Sequence, residues 1–153
     1  MPASLVPHPR PAQGKRSLAK VPFVELLHGR IQGVVSSGSD DDRVYVSWYE
    51  GRTGDFYCCT NNNRPCGGLG GSPCKHILAL VDAGVAQMGM ERVARALGAP
   101  DETTTRGVLG AARGSQRKEP SGVVFARFLD YLRYMELSAP EGDLPELAWF
   151  VTG

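Results

Sequence analysis

The sequence predicts a small α+β domain: an antiparallel β meander, then a helix, with further helices toward the C-terminus. Three observations predict it. Apolar and polar side chains alternate with period two over residues 43–49. From residue 72 onward the apolar residues recur at helical spacing instead. Between the two patterns, all four cysteines fall at positions 58–74 and a histidine follows at 76. A chain of 153 residues, 42% hydrophobic and 22% charged, supports one modest domain or a small domain with an appendage, and excludes a large multidomain enzyme.

The elements follow in order. Residues 1–21 carry Pro2, Pro7, Pro9 and Pro11 with Arg10, Lys15, Arg16 and Lys20 and no acid. Such a stretch buries too little apolar surface to offset its ordering entropy, so it reads as a disordered basic arm. A domain is expected over 22–98. Residues 30–36 are β-prone, and Gly38, Ser39 and Asp40–Asp42 form a turn by composition. In the strand at 43–49, Val44, Val46 and Trp48 alternate with Tyr45, Ser47 and Tyr49, which predicts one buried face. A turn at 50–54 and a short strand at 55–59 complete a three-stranded meander. Tyr45, Tyr49 and Tyr57 are expected on one face, either covering the sheet or stacking on bases or a partner's side chains.

Beyond the cysteines, Ile77, Leu78, Val81, Val85 and Met88 mark a helix, with Ser72 or Pro73 suited to open it and Gly89 to break it. Residues 91–97 read as a second helix, stopped by Gly98 and Pro100. Residues 99–120 have the composition of a linker that turns basic through Arg106, Arg113, Arg117 and Lys118. A final helix, which Ser121 can cap, carries the stripe Val124, Phe125, Phe128, Leu129, Leu132 and Met135; with an acidic tail it fills 121–153. That stripe either packs on the domain or docks another protein.

No run approaches 18 apolar residues, so no membrane span is expected. The N-terminus lacks the apolar stretch of a secretory signal, which predicts a cytoplasmic protein whose cysteines serve something other than disulfides. From Cys58 the spacing is C-x7-C-x7-C-x-H. Zinc takes four tetrahedral thiolate or imidazole ligands, and here a strand end, a Gly-rich loop and a helix start can supply them. Helix positions i and i+2 diverge, so Cys74 and His76 both ligate only if Cys74 precedes the helix proper. Phe56 is expected to face the core with Cys58, whereas Cys59 shares the face of Tyr57. The predicted ligands are therefore Cys58, Cys66, Cys74 and His76, with Cys59 as alternate to Cys58. A disulfide between the neighbours Cys58 and Cys59 would strain the backbone.

A closed Cys3His site leaves no position for substrate, and no Ser/His/Asp set or paired carboxylates accompany it. The glycines at 67–71 beside Lys75 lack the order of a nucleotide loop and read as a flexible connection. His8 and His28 lie away from the cluster. No enzyme is expected.

Trp48-Tyr49, Cys58-Cys59-Thr60 and above all Pro73-Cys74-Lys75-His76-Ile77-Leu78-Ala79-Leu80 resemble the SWIM zinc finger. That family sets C-x-C, a variable loop and C-x-H on a β-β-α core, and the C-K-H before an apolar helix is its most specific part. Gly29-Arg30-Ile31-Gln32-Gly33 and Val44-Tyr45-Val46 suit its preceding strands. The resemblance spans residues 29–85 and departs at the first pair, where neither Tyr57 nor Thr60 is a cysteine and Cys66 stands in for the missing ligand. It implies a module for DNA or protein contact of the kind that accompanies ATPases, transposases or recombination factors. The expected function is that of a protein–protein adapter or accessory subunit recruited by such a machine. The alternative is nucleic-acid binding through Arg10, Lys15, Arg16, Lys20, Arg113, Arg117 and Lys118. A formal charge of only +1 favours the adapter.

Overall fold

A computed structural model describes residues 20–37 and 43–128. The basic arm up to residue 19, the turn at 38–42, and everything from Leu129 onward lie outside the described residues. Four strands form one antiparallel sheet in the order β1-β2-β3-β4: Phe23–Leu27, Arg30–Ser36, Val44–Glu50 and Phe56–Thr60. The last three are the predicted meander; β1 is additional. Its sequence Phe-Val-Glu-Leu-Leu lacks period two because apolar residues stand on both of its faces, each of them partly covered. His28 and Gly29 join β1 to β2 with left-handed φ values of 50° and 79°, the two-residue turn whose twist suits a hairpin.

Helix α1 (Lys75–Met88) lies across β2 and β3, and α2 (Met90–Ala96) follows after Gly89, whose φ of 87° lets the chain turn at once. Ile31, Val35, Tyr49, Phe56 and Cys58 from the sheet pack against Ile77, Leu80 and Val81 of α1. Gly33 lies opposite Leu80, and a Cβ there would fall 2.6 Å from the leucine Cδ1. The helix is capped by Cys74, in extended conformation, rather than by Ser72 or Pro73.

Residues 99–120, expected as a linker, instead include α3 (Thr105–Gly110). The Thr104 side chain accepts from the Gly107 amide, and Val108 is fully buried in the same core. Its apolar content is too sparse to show periodicity, and one valine anchors it. The Tyr49 hydroxyl donates to the Val108 carbonyl at 3.3 Å.

The other face of the sheet is covered too, contrary to the single buried face expected of β3. Val46, Trp48, Tyr57 and Cys59 pack there against Val124 and Phe128 of a fourth helix, α4, described over residues 121–128. Tyr57 thus stands opposite Tyr45 and Tyr49, because Tyr49 pairs with Phe56 and the register puts Phe56, not Tyr57, on their face. Ser121 opens α4 without capping it: its hydroxyl donates to Asn63 Oδ1 at 2.9 Å, and the Asn61 carbonyl oxygen lies 3.3 Å from it. Glu119 fastens the segment. It receives Arg30 at 2.6 Å and a forked pair of bonds from Arg127, while the Arg30 guanidinium lies 4.0 Å from the centre of the Trp48 ring. Burial pushes the Glu119 carboxyl up, but the two arginines outweigh it and hold it below the usual carboxylate range.

Candidate metal centre

Four donor atoms converge between the end of β4, the loop after it and the start of α1. The Sγ atoms of Cys58, Cys66 and Cys74 and a ring nitrogen of His76 all lie within 4.8 Å of one another, and all four residues are buried. His76 Nδ1 is 3.2 Å from Cys66 Sγ and 3.8 Å from the Sγ atoms of both Cys58 and Cys74. With Zn–S near ~2.3 Å and Zn–N near ~2.0 Å, tetrahedral donors stand about 3.5–3.8 Å apart, so the spacing suits one tetrahedral ion. Three thiols and an imidazole form a donor set compatible with a metal such as zinc.

Local structure brings each donor in. Cys58 lies on the α1 side of β4 because strand parity places it with Phe56. The Cys66 amide donates to the Cys58 carbonyl at 3.0 Å, which folds the loop back on its own strand and sets the two sulfurs side by side. Cys74 has φ −78° and ψ 172°, so it precedes the helix, and His76 lies in the first turn. That break from helical geometry lets residues two apart reach one point.

Of the three thiols, Cys74 alone is shifted toward ionisation. Cys74 is drawn down to about 4 by its hydrogen bond with Cys58, helped against its burial by His76 and by the Ile77 and His76 amides at the helix start. Cys58 moves up, as the donor in that bond and as a buried group, although Ser47 Oγ donates to its sulfur at 3.2 Å. Burial also pushes up Cys66, whose sulfur accepts from the Gly68 amide at 3.4 Å. A divalent ion would replace the shared proton and favour three thiolates at once.

Cys59 does not join them. It points through the opposite face, where its sulfur lies 3.9 Å from the Glu119 carbonyl and packs with Trp48 and Tyr57. His28 sits in the β1–β2 turn, far from the cluster, and His8 lies outside the described residues. Arg113, Arg117 and Lys118 are exposed, with Arg117 Nε 3.8 Å from Asp55 Oδ2. Two residues support the cluster in roles the sequence does not assign: Ser47, which pairs in register with Cys58, and Tyr45, expected only in the tyrosine row, whose ring stacks on His76. Their signal was parity on β3, since both alternate with Val46 and Trp48 and so face α1. Compared with protein-family models, curated proteins and solved structures, the chain finds no match.

Proposed function

We propose that the chain is a non-enzymatic zinc-binding adapter of SWIM-like type, an accessory subunit recruited by a larger machine of the ATPase or recombination class. The observation that carries this reading is the closed donor set: four buried ligands for a four-coordinate ion leave no place for a substrate or an attacking water. Zinc in such a site is a folding element, contributing on the order of 10–16 kcal/mol of apparent binding energy in small domains. It ties β4 and its loop to α1, and the fold then presents its outer surface to partners.

That surface supports a protein partner. The exposed large apolar residues among those described are Phe23, Val123 and Phe125, at 39%, 45% and 38%. Phe23 and Phe125 both pack edgewise on Phe128, with ring centroids 4.8 and 5.4 Å away, so they form one patch where β1 meets α4. Clustered exposed aromatics are a usual mark of a protein contact.

Two measurements test the proposal. Elemental analysis of the purified chain should give one zinc per molecule. Crosslinking from a photoreactive residue at position 125 in the native host should capture one defined partner, lost in Phe125→Asp with zinc content unchanged. Tight, salt-sensitive binding of duplex DNA with no such partner would favour the nucleic-acid alternative instead.

A further inference from the structure

We propose that the groove at the turn end of the sheet binds a phosphate-bearing small molecule. The β1–β2 and β3–β4 turns, the end of α2 and the segment after α3 meet there and border an open groove of about 640 Å³, room for a ligand of nucleotide size. The lining includes His28, Arg52 and Arg95 and no carboxylate; every other lining residue is glycine or alanine. Arginine forks and an imidazole are donors well suited to phosphate oxygens, and walls of glycine and alanine let those oxygens approach the backbone.

The cations are available. Arg52 is exposed and makes no ion pair among the described residues. Arg95 is joined only to Glu91, four residues before it on α2, with both side chains at least 70% exposed, a pairing weak enough for a phosphate to displace.

The walls are fixed before any ligand arrives. A Cβ on Gly51 would lie 2.2 Å from the Leu97 carbonyl oxygen, so only glycine lets the β3–β4 turn dock on the end of α2. Gly54 is packed closely on the Ala112 carbonyl as well, where a Cβ would lie 2.6 Å from the oxygen. His28 holds a left-handed φ of 50° where asparagine, aspartate or glycine is the usual choice, a departure that keeps an imidazole at the groove.

A concave site with two guanidinium cations and an imidazole suits one or two phosphate groups. A near-neutral chain lacks the broad positive field that a nucleic-acid backbone demands. The groove stands clear of the metal centre, beyond the Arg30–Glu50 pair, whereas Cys58 pairs with Ser47 three residues back along β3.

Amide NMR of the full zinc-loaded chain, titrated with pyrophosphate, AMP or inorganic phosphate at constant ionic strength, tests the assignment. Expected are saturable shifts confined to the amides of residues 28–29, 51–52 and 98. The Kd should rise about tenfold in Arg52→Ala, with zinc content and Tm unchanged. His28→Gly should also weaken binding while keeping the turn. Three results would overturn the proposal: no saturable shift at millimolar probe, an unchanged Kd in both Arg52→Ala and Arg95→Ala, or tighter binding of duplex DNA at the same amides.

Discussion

The Tyr45 ring lies flat against the His76 imidazole, with centroids 3.8 Å apart and planes inclined by 17°. Two residues along the same strand, Ser47 donates to Cys58 Sγ. Strand β3 therefore supplies none of the four candidate donors yet contacts two of them. A stacked ring fixes the plane of the imidazole, and with it the direction of the Nδ1 lone pair. Alternation along one strand provides both supports, because residues two apart share a face.

Removing the stack should loosen the metal without unfolding the chain. In Tyr45→Ala, zinc affinity is expected to fall about 10–100-fold, the usual effect of losing an orienting neighbour. Tyr45→Phe keeps the stack and should bind like the wild type. Competition with a chromogenic chelator measures both. Equal affinity in Tyr45→Ala and the wild type would show that the imidazole is positioned by α1 alone.

Two of the four cysteines should behave oppositely. Cys74→Ser removes a candidate ligand at the helix start, so zinc binding should be lost and β4 should part from α1. Cys59→Ala removes a buried thiol from the other face and leaves the donor set whole. It should keep one zinc per chain and lose only about 1 kcal/mol in denaturant unfolding, the scale of a small cavity. Zinc loss in Cys59→Ala would mean that the strand can turn over.

Part of this was legible in the sequence. Phe56 marks the core side of β4, and parity then separates Cys58 from Cys59. The C-x-H step demands a non-helical Cys74, and the structure places that residue just before α1. Tyr57 was misplaced because its face depends on how β4 pairs with β3. The turn at 51–55 sets that register, and strand composition does not reveal it. Strand β1 and helix α3 escaped for a related reason. Both carry little periodicity of their own: β1 is ordered by its hairpin with β2, and α3 by contacts distant in sequence such as Val108 with Tyr49.

Close packing at Gly33 gives a stability test remote from the metal. A Cβ there would stand 2.2 Å from the Phe23 carbonyl oxygen and 2.6 Å from Leu80 Cδ1, so both β1 and α1 must shift to admit it. Gly33→Ala should cost about 1–3 kcal/mol or more, read as a lowered Tm. In the exposed loop, a Cβ at Gly70 meets nothing within 4 Å, and Gly70→Ala should stay within about 0.5 kcal/mol of wild type. Equal losses in the two variants would contradict the packing of α1 on the sheet.

The face away from the metal holds a row of polar side chains in one register: Glu25 pairs with Gln32, Gln32 with Trp48, and Trp48 with Tyr57. Gln32 Nε2 donates to Glu25 Oε1, while Glu25 Oε2 is buried without a partner. Burial pushes the Glu25 carboxyl above its ordinary 4.5, more than the bond from Gln32 lowers it. An acid raised on folding holds its proton longer in the native state than in the unfolded one. Stability therefore falls as pH rises from about 4.5 through the folded value, and above that window the buried charge is a standing cost. Glu25→Gln removes the charge and keeps the shape. It should exceed the wild type by about 1–3 kcal/mol at neutral pH, with the gap closing as pH falls toward 4.5. Zinc release in acid affects both proteins alike and cancels in the difference. Urea unfolding of the pair between pH 5 and 8 reads the gap directly, and a gap independent of pH would show that Glu25 carries no native-state penalty for its charge.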